Sequence, residues 1–151
     1  MSLEENKAII RRLTEAWNKQ NLSAYEESVV MDYIENTLQW ADAQFNRPIQ
    51  GLEDHKQFVT KVYKGFPDFK VTIEDIIAEG NKVWVRVEVT GTHKGEYRGL
   101  APTGKKITVT YVGIYRISDG KVVERWSVYD MLDFYKELGV IKYKGFPDEA
   151  T

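Results

Sequence analysis

The sequence predicts an α+β fold in which helices come first and a curved antiparallel sheet follows. Apolar residues recur every three or four positions as far as Gly65, and from Phe69 onward they recur at every second position. Glu79-Gly80-Asn81 and Ser118-Asp119-Gly120 supply tight-turn chemistry between the alternating stretches, as hairpins require.

Between Glu4 and Lys19, Ile9, Ile10, Leu13, Ala16 and Trp17 fall on one stripe of a helix. Asn21 and Ser23 are good N-cap types, so a second short helix is expected through Tyr25 to about Val30. The decapeptide MDYIENTLQW that follows reads as extended or irregular. Helical spacing returns near Pro48 and Gly51, with Leu52, Phe58, Val59 and Val62 on one side, and stops at the turn Gly65-Phe66-Pro67-Asp68. The sheet is then built from Phe69, Val71 and Ile73, from Val83, Val85, Val87 and Val89, and from two more segments at 105–117 and 121–129. Leu132, Tyr135 and Leu138 return to helical spacing, and Gly139 suits a left-handed cap at the end.

The length of 151 residues predicts one domain, with a core from about residue 5 to 140 and a tail at 141–151. KGFPD occurs at 64–68 and again at 144–148, but the flanking residues do not match and no repeat is inferred. A formal charge of -2 gives no field for a phosphate backbone, so nucleic acid is not an expected partner. There is no cysteine and there are only two histidines, His55 and His93, which argues against a metal site. No run of 18 apolar residues occurs and the first residues are charged, so the expectation is a cytoplasmic protein with no membrane partner.

Four strings occur in a telling order: NRPIQG at 46–51, GFPDFKVTIEDIIAEG at 65–80, GTHKGEYRGLAPTGKKI at 91–107 and DGKVVERWSVYD at 119–130. In these the chain resembles the SnoaL-like polyketide cyclases of the nuclear transport factor 2-like superfamily. The resemblance implies a cone in which N-terminal helices pack on a curved sheet and enclose a pocket. It also implies a cofactor-free acid–base enzyme that closes a ring of a polyketide ester by intramolecular aldol condensation. Homodimerisation through the sheet and a hydrophobic or aromatic small-molecule ligand come with it. Competing readings are a non-catalytic ligand-binding or dimerisation domain of the same fold and, as minor options, an epoxide hydrolase or a ketosteroid-isomerase-like activity.

Proton abstraction beside a carbonyl needs a base in an apolar pocket and a donor for the developing enolate oxygen. Asp130 is the candidate base, matching the family's catalytic aspartate by resemblance. It shares strand parity with Glu124, Trp126 and Val128, which predicts a largely apolar wall of the kind that raises a carboxylate's pKa. The alternative is that Asp130 caps the closing helix at Met131. Relatives commonly carry a histidine on the preceding strand, where this chain reads Gly113-Ile114-Tyr115-Arg116. Tyr115 offers a phenol there, with strand packing as the alternative. Asn36 offers an amide to a substrate carbonyl, with a turn or cap role as the alternative. Trp40, Trp84 and Trp126, with Tyr33, Tyr111 and Phe66, are expected to line a cavity for a flat ligand. His93, in GTHKGE, is placed at the pocket rim or in a turn, and His55 is expected to be solvated. Glu124 and Arg125 alternate to opposite faces, so no Asp-Arg-Asp set of the epoxide-hydrolase kind is expected.

Overall fold

The computed structural model describes residues 1–36 and 49–142. Its elements run α1 Leu3–Asn18, α2 Leu22–Ser28, β1 Val29–Glu35, α3 Gly51–Gly65, β2 Lys70–Glu79, β3 Lys82–Thr92, β4 Lys106–Ser118, β5 Lys121–Tyr129 and α4 Met131–Glu137. Helix α1 begins with a capping box: Ser2 Oγ accepts the Glu5 amide at 3.1 Å while Glu5 Oε2 accepts the Ser2 amide at 2.6 Å. Asn21 caps α2 through the Ala24 amide, as its residue type predicts.

One sheet in the order β1-β5-β4-β3-β2 forms the other layer. The pairs β2–β3, β3–β4 and β4–β5 are antiparallel, the expected meander. The two hairpin turns hold the predicted left-handed residues, Gly80 at φ 57 and Asp119-Gly120 at φ 48 and 76. Residues 31–35 of the segment read as extended or irregular belong to β1, which pairs parallel with β5 with a register shift between Val29 and Ile34; residues 37–40 of that segment lie outside the described residues. Parallel pairing needs a long crossover connection between the two strands, a relation that local periodicity does not carry.

Strand alternation sends Val83, Val85, Val87 and Val89 of β3 and Ile107, Val109, Tyr111, Tyr115 and Ile117 of β4 to the buried inner face. There the valines of β3 with Tyr111, Tyr115 and Ile117 meet Ile9, Ile10 and Leu13 of α1, each worth about 1.5–3 kcal/mol when fully buried. Phe58, Val59 and Val62 of α3 join Ile107, Val109, Phe134 and Leu138 in a second cluster. A bulge between Arg116 and Ile117 resets β5, so that Val122 faces inward and the inward series resumes at Arg125. Among the described residues no helix is long and apolar enough to cross a membrane.

Candidate functional site

Helices α1, α3 and α4 do not fill the hollow of the sheet. The space left is a cavity with an empty volume of about 710 Å³, its open mouth included. Leu13 and Trp17 of α1, Phe58 and Val62 of α3, and Phe66 and Phe69 of the turn beyond it form one side. Val89, Val109, Tyr111 and Tyr115 rise from the sheet, and Phe134 of α4 closes one end. This wall suits a flat apolar ligand. Gly113 matters here because a Cβ would stand 3.1 Å from Tyr115 Cε2 and 3.3 Å from Tyr111 Cε2, so its absence lets both rings lie over the strand.

One charged side chain, Arg125, belongs to the lining, and it is only 4% exposed. Its guanidinium carbon lies 5.1 Å and 5.2 Å from the ring centres of Tyr111 and Tyr115, within cation–π range. Nη2 donates to Tyr129 Oη at 2.8 Å, and Nη1 lies 3.4 Å from Glu35 Oε1. Burial opposes the charge on Arg125, but Glu35 together with Tyr115, Tyr129 and Tyr111 outweighs it and holds the guanidinium firmly protonated.

Glu35 ends β1 and is 2% exposed. Its Oε2 accepts the Tyr33 hydroxyl at 3.1 Å and lies 3.3 Å from His55 Nδ1. On the far side His55 Nε2 bonds the Tyr25 hydroxyl, with the two rings stacked. Burial pushes the Glu35 carboxyl up, yet Arg125, His55 and Tyr33 together outweigh it and hold it at about 2. Burial also pushes the Tyr33, Tyr115 and Tyr129 phenols well above their usual range, so all three stay protonated as donors.

Of the sequence-predicted residues, Phe66, Tyr111 and Tyr115 do line the cavity. Asp130 does not: it is exposed, and its Oδ1 accepts the Asp133 amide at 3.0 Å as the N-cap of α4. The parity it shares with Trp126 and Val128 is real, but it is the outer parity of β5. Val128 is 67% exposed, and Trp126 lies under Lys82 Nζ at 5.2 Å from its ring centre. The apolar wall expected around Asp130 is therefore replaced by solvent and a helix terminus. Trp84 is likewise on the outer face, 45% exposed. Asn36 is exposed and is engaged with Glu124 Oε1 at 2.9 Å and the Arg125 carbonyl at 3.3 Å, away from the cavity. Tyr33 is buried one layer behind the lining, against Glu35 and His55. Trp40 lies outside the described residues.

Both histidines are fully buried. His93 stacks on Phe66 and accepts the Thr103 amide at Nδ1, which pins the GTHKGE hairpin to the turn after α3. Burial holds its pKa below the usual imidazole value. The solvated setting expected for His55 is wrong because β1 and α2 cover that face of α3. Sequence reasoning also missed Arg125 and Glu35 as site groups. Alternation placed Arg125 and Glu124 on opposite faces correctly, but not which face was inner. Among the described residues no group of three or more His, Asp or Glu side chains is arranged to hold a metal ion.

The sequence profile of the SnoaL-like polyketide cyclases matches residues 7–138. The chain belongs to that family. The aklanonic acid methyl ester cyclase DnrD of Streptomyces peucetius is 27% identical over 133 residues, covering 87% of this chain and 88% of that one. The cyclase AcmA of Streptomyces galilaeus, also named for aklanonic acid methyl ester, is 26% identical over 140 residues, 91% of this chain and 92% of that one. Among solved structures, AclR of Streptomyces galilaeus, proposed to be a hydroxylase, superposes with a TM-score of 0.80 at 30% identity over 93% of this chain and all of its own. IdmH of Streptomyces antibioticus, proposed to be a polyketide cyclase, gives 0.78 at 28% identity, with 89% and 98% covered. In this SnoaL-like chain the strings that carried the resemblance have physical work: GFPD closes α3, GTHKGE pins a hairpin, and ERWSVYD supplies Arg125, Tyr129 and the α4 cap.

Proposed function

We propose that this cyclase-family chain performs acid–base chemistry on an enolisable aromatic carbonyl compound of the polyketide ester type, using neither metal nor organic cofactor. The single observation that carries the reading is a largely apolar, aromatic-lined cavity with the phenols of Tyr115 and Tyr129 in its wall. The reaction needs a base to take the proton beside the carbonyl. The resulting enolate carbon attacks a second carbonyl of the same molecule, and the new alkoxide regains the proton. Asp130 follows the lining residue Tyr129 in the chain and is the carboxylate assigned as proton acceptor; its side chain caps α4 outside the lining, so the reaction requires it to leave that cap and turn to the cavity mouth. A solvated carboxylate suits a C–H acidified by carbonyls on both sides, which a polyketide chain provides.

The test is turnover of a panel of enolisable aromatic polyketide methyl esters and simple ketones by the wild type, Asp130→Asn and Val109→Trp. A loss of about 10²-fold or more in Asp130→Asn supports the base assignment. Loss in Val109→Trp, which fills the cavity, supports the site. Background rates in all three, with ligand still bound by the wild type, favour a non-catalytic binding domain, the reading to which the helix-cap role of Asp130 lends weight.

Pairing of two copies through the outer sheet face belongs to the same proposal. Its support is the apolar side chains on that face, the cross-strand pair Val112 and Val128 and their diagonal neighbour Trp84, which are 37%, 67% and 45% exposed.

A further inference from the structure

Arg125 is an expensive residue to place where it stands. The guanidinium is buried, and the pairing that compensates it is incomplete. Nη1 faces Glu35 and Nη2 donates to Tyr129, whereas Nε, fully shielded from solvent, has no hydrogen-bond partner among the described residues. Buried donors are paired in nearly all native proteins, and a missing partner calls for an explanation. The same side chain lines the cavity beside the rings of Tyr111 and Tyr115, and because Nε has no exposed surface in the empty cavity, a ligand oxygen reaches it only as those rings shift aside. A donor fixed by neighbours and left without an acceptor matches the arrangement that stabilises charge as it develops on an oxygen.

We propose that Arg125 is a catalytic residue whose unpaired Nε–H binds the enolate or phenolate oxygen of the ligand, with Glu35 and Tyr129 as positioning residues that hold the other two nitrogens. The assignment rests on the carbonyl chemistry proposed above and adds the group that meets the oxyanion. Glu35 gives it a further property. Because the carboxylate already balances the guanidinium, the cavity has little net charge, so a neutral carbonyl enters without an unpaired ion and gains the charge-assisted bond only as its oxygen becomes negative.

The experiment measures binding of substituted naphthols of falling pKa, with the corresponding naphthyl methyl ethers as controls, so that no turnover is needed. In the wild type, affinity rises as the oxygen carries more charge, by about tenfold or more between ether and naphtholate, the worth of one hydrogen bond to a charged group. In Arg125→Met that gain falls below about threefold while ether affinity is kept. Arg125→Lys keeps a positive charge but has no Nε–H in the fork geometry, and is expected to recover only a small part of the gain. Because Arg125→Met strands the Glu35 carboxylate, the paired variant Glu35→Gln with Arg125→Met is measured beside it and is expected to show the same flat response. An undiminished naphtholate preference in either Met-containing variant overturns the assignment, as does equal affinity for ether and naphtholate in the wild type. A wild type that shows the preference but turns over no ester keeps the oxyanion site and removes the reaction.

Discussion

Glu35→Gln removes one charge from the core while leaving the shape of the side chain and its bond from Tyr33 in place. The native carboxyl titrates at about 2 against an ordinary 4.5, because Arg125, His55 and Tyr33 outweigh its burial. Each tenfold change in proton affinity is worth about 1.4 kcal/mol, so this one group contributes about 3 kcal/mol to stability at neutral pH. The folded value is the lower one, so the contribution is complete above about pH 4.5 and is lost as pH falls toward about 2. In the variant that contribution is absent, and Arg125 sits buried without its counter-ion, at a cost of about 3–5 kcal/mol. Urea unfolding followed by tryptophan fluorescence, at steps from pH 7 to pH 2, is the assay. The expected result is a gap of about 3 kcal/mol or more at pH 7 that closes by most of that amount at pH 2, where the Glu35 carboxyl of the folded wild type is about half protonated and its contribution is nearly gone. Other carboxylates titrate in both proteins and drop out of the difference. Two parallel stability curves, with the same gap at both ends, would show that the Glu35–Arg125 pair carries no net charge coupling and would refute the reasoning.

Three further outcomes are expected. Asp130→Ala removes the cap of α4 and lowers stability by about 1 kcal/mol, a fall of roughly 3 °C in Tm, whereas Asp130→Asn keeps the cap to within a few tenths, so a rate change in Asn alone is chemistry. Gly95→Ala brings a Cβ to 2.0 Å from the Lys64 carbonyl oxygen and forces the GTHKGE hairpin off the end of α3, with a destabilisation of about 1–3 kcal/mol in thermal unfolding; an unchanged Tm would show that the hairpin yields freely. On the proposed pairing of two copies through the outer sheet face, Val128→Glu places a charge on that face and is expected to give a folded monomer in analytical ultracentrifugation where the wild type gives a dimer; a dimer that survives the substitution assembles elsewhere.

Most of the architecture was legible because it rests on local signals. Ser2, Asn21 and Asp130 are oxygen-bearing side chains at helix starts, and each accepts a backbone amide there. Gly80, Gly120 and Gly139 stand where the backbone turns left-handed. The alternation of valines on β3 named the inner face without any partner. The site was less legible. Period-two reasoning divides a strand into two faces but does not say which is covered, and on β5 a bulge beside Val122 shifts the count. Asp130 and Trp126 were therefore assigned to the pocket although their parity is the outer one, Trp84 was counted as lining although it alternates with the inward valines of β3, and Arg125 was not singled out as a site group.

The sequence by itself determined the helices-then-meander order, the turns and caps, and the family, because these depend on residues close together in the chain or on strings kept in order. Only the tertiary structure decided that β1 lies parallel beside β5. That single long-range pairing brings Glu35 against Arg125 and covers His55 behind it, and the charge held there depends on burial and on distances of 3–4 Å between elements far apart in the chain.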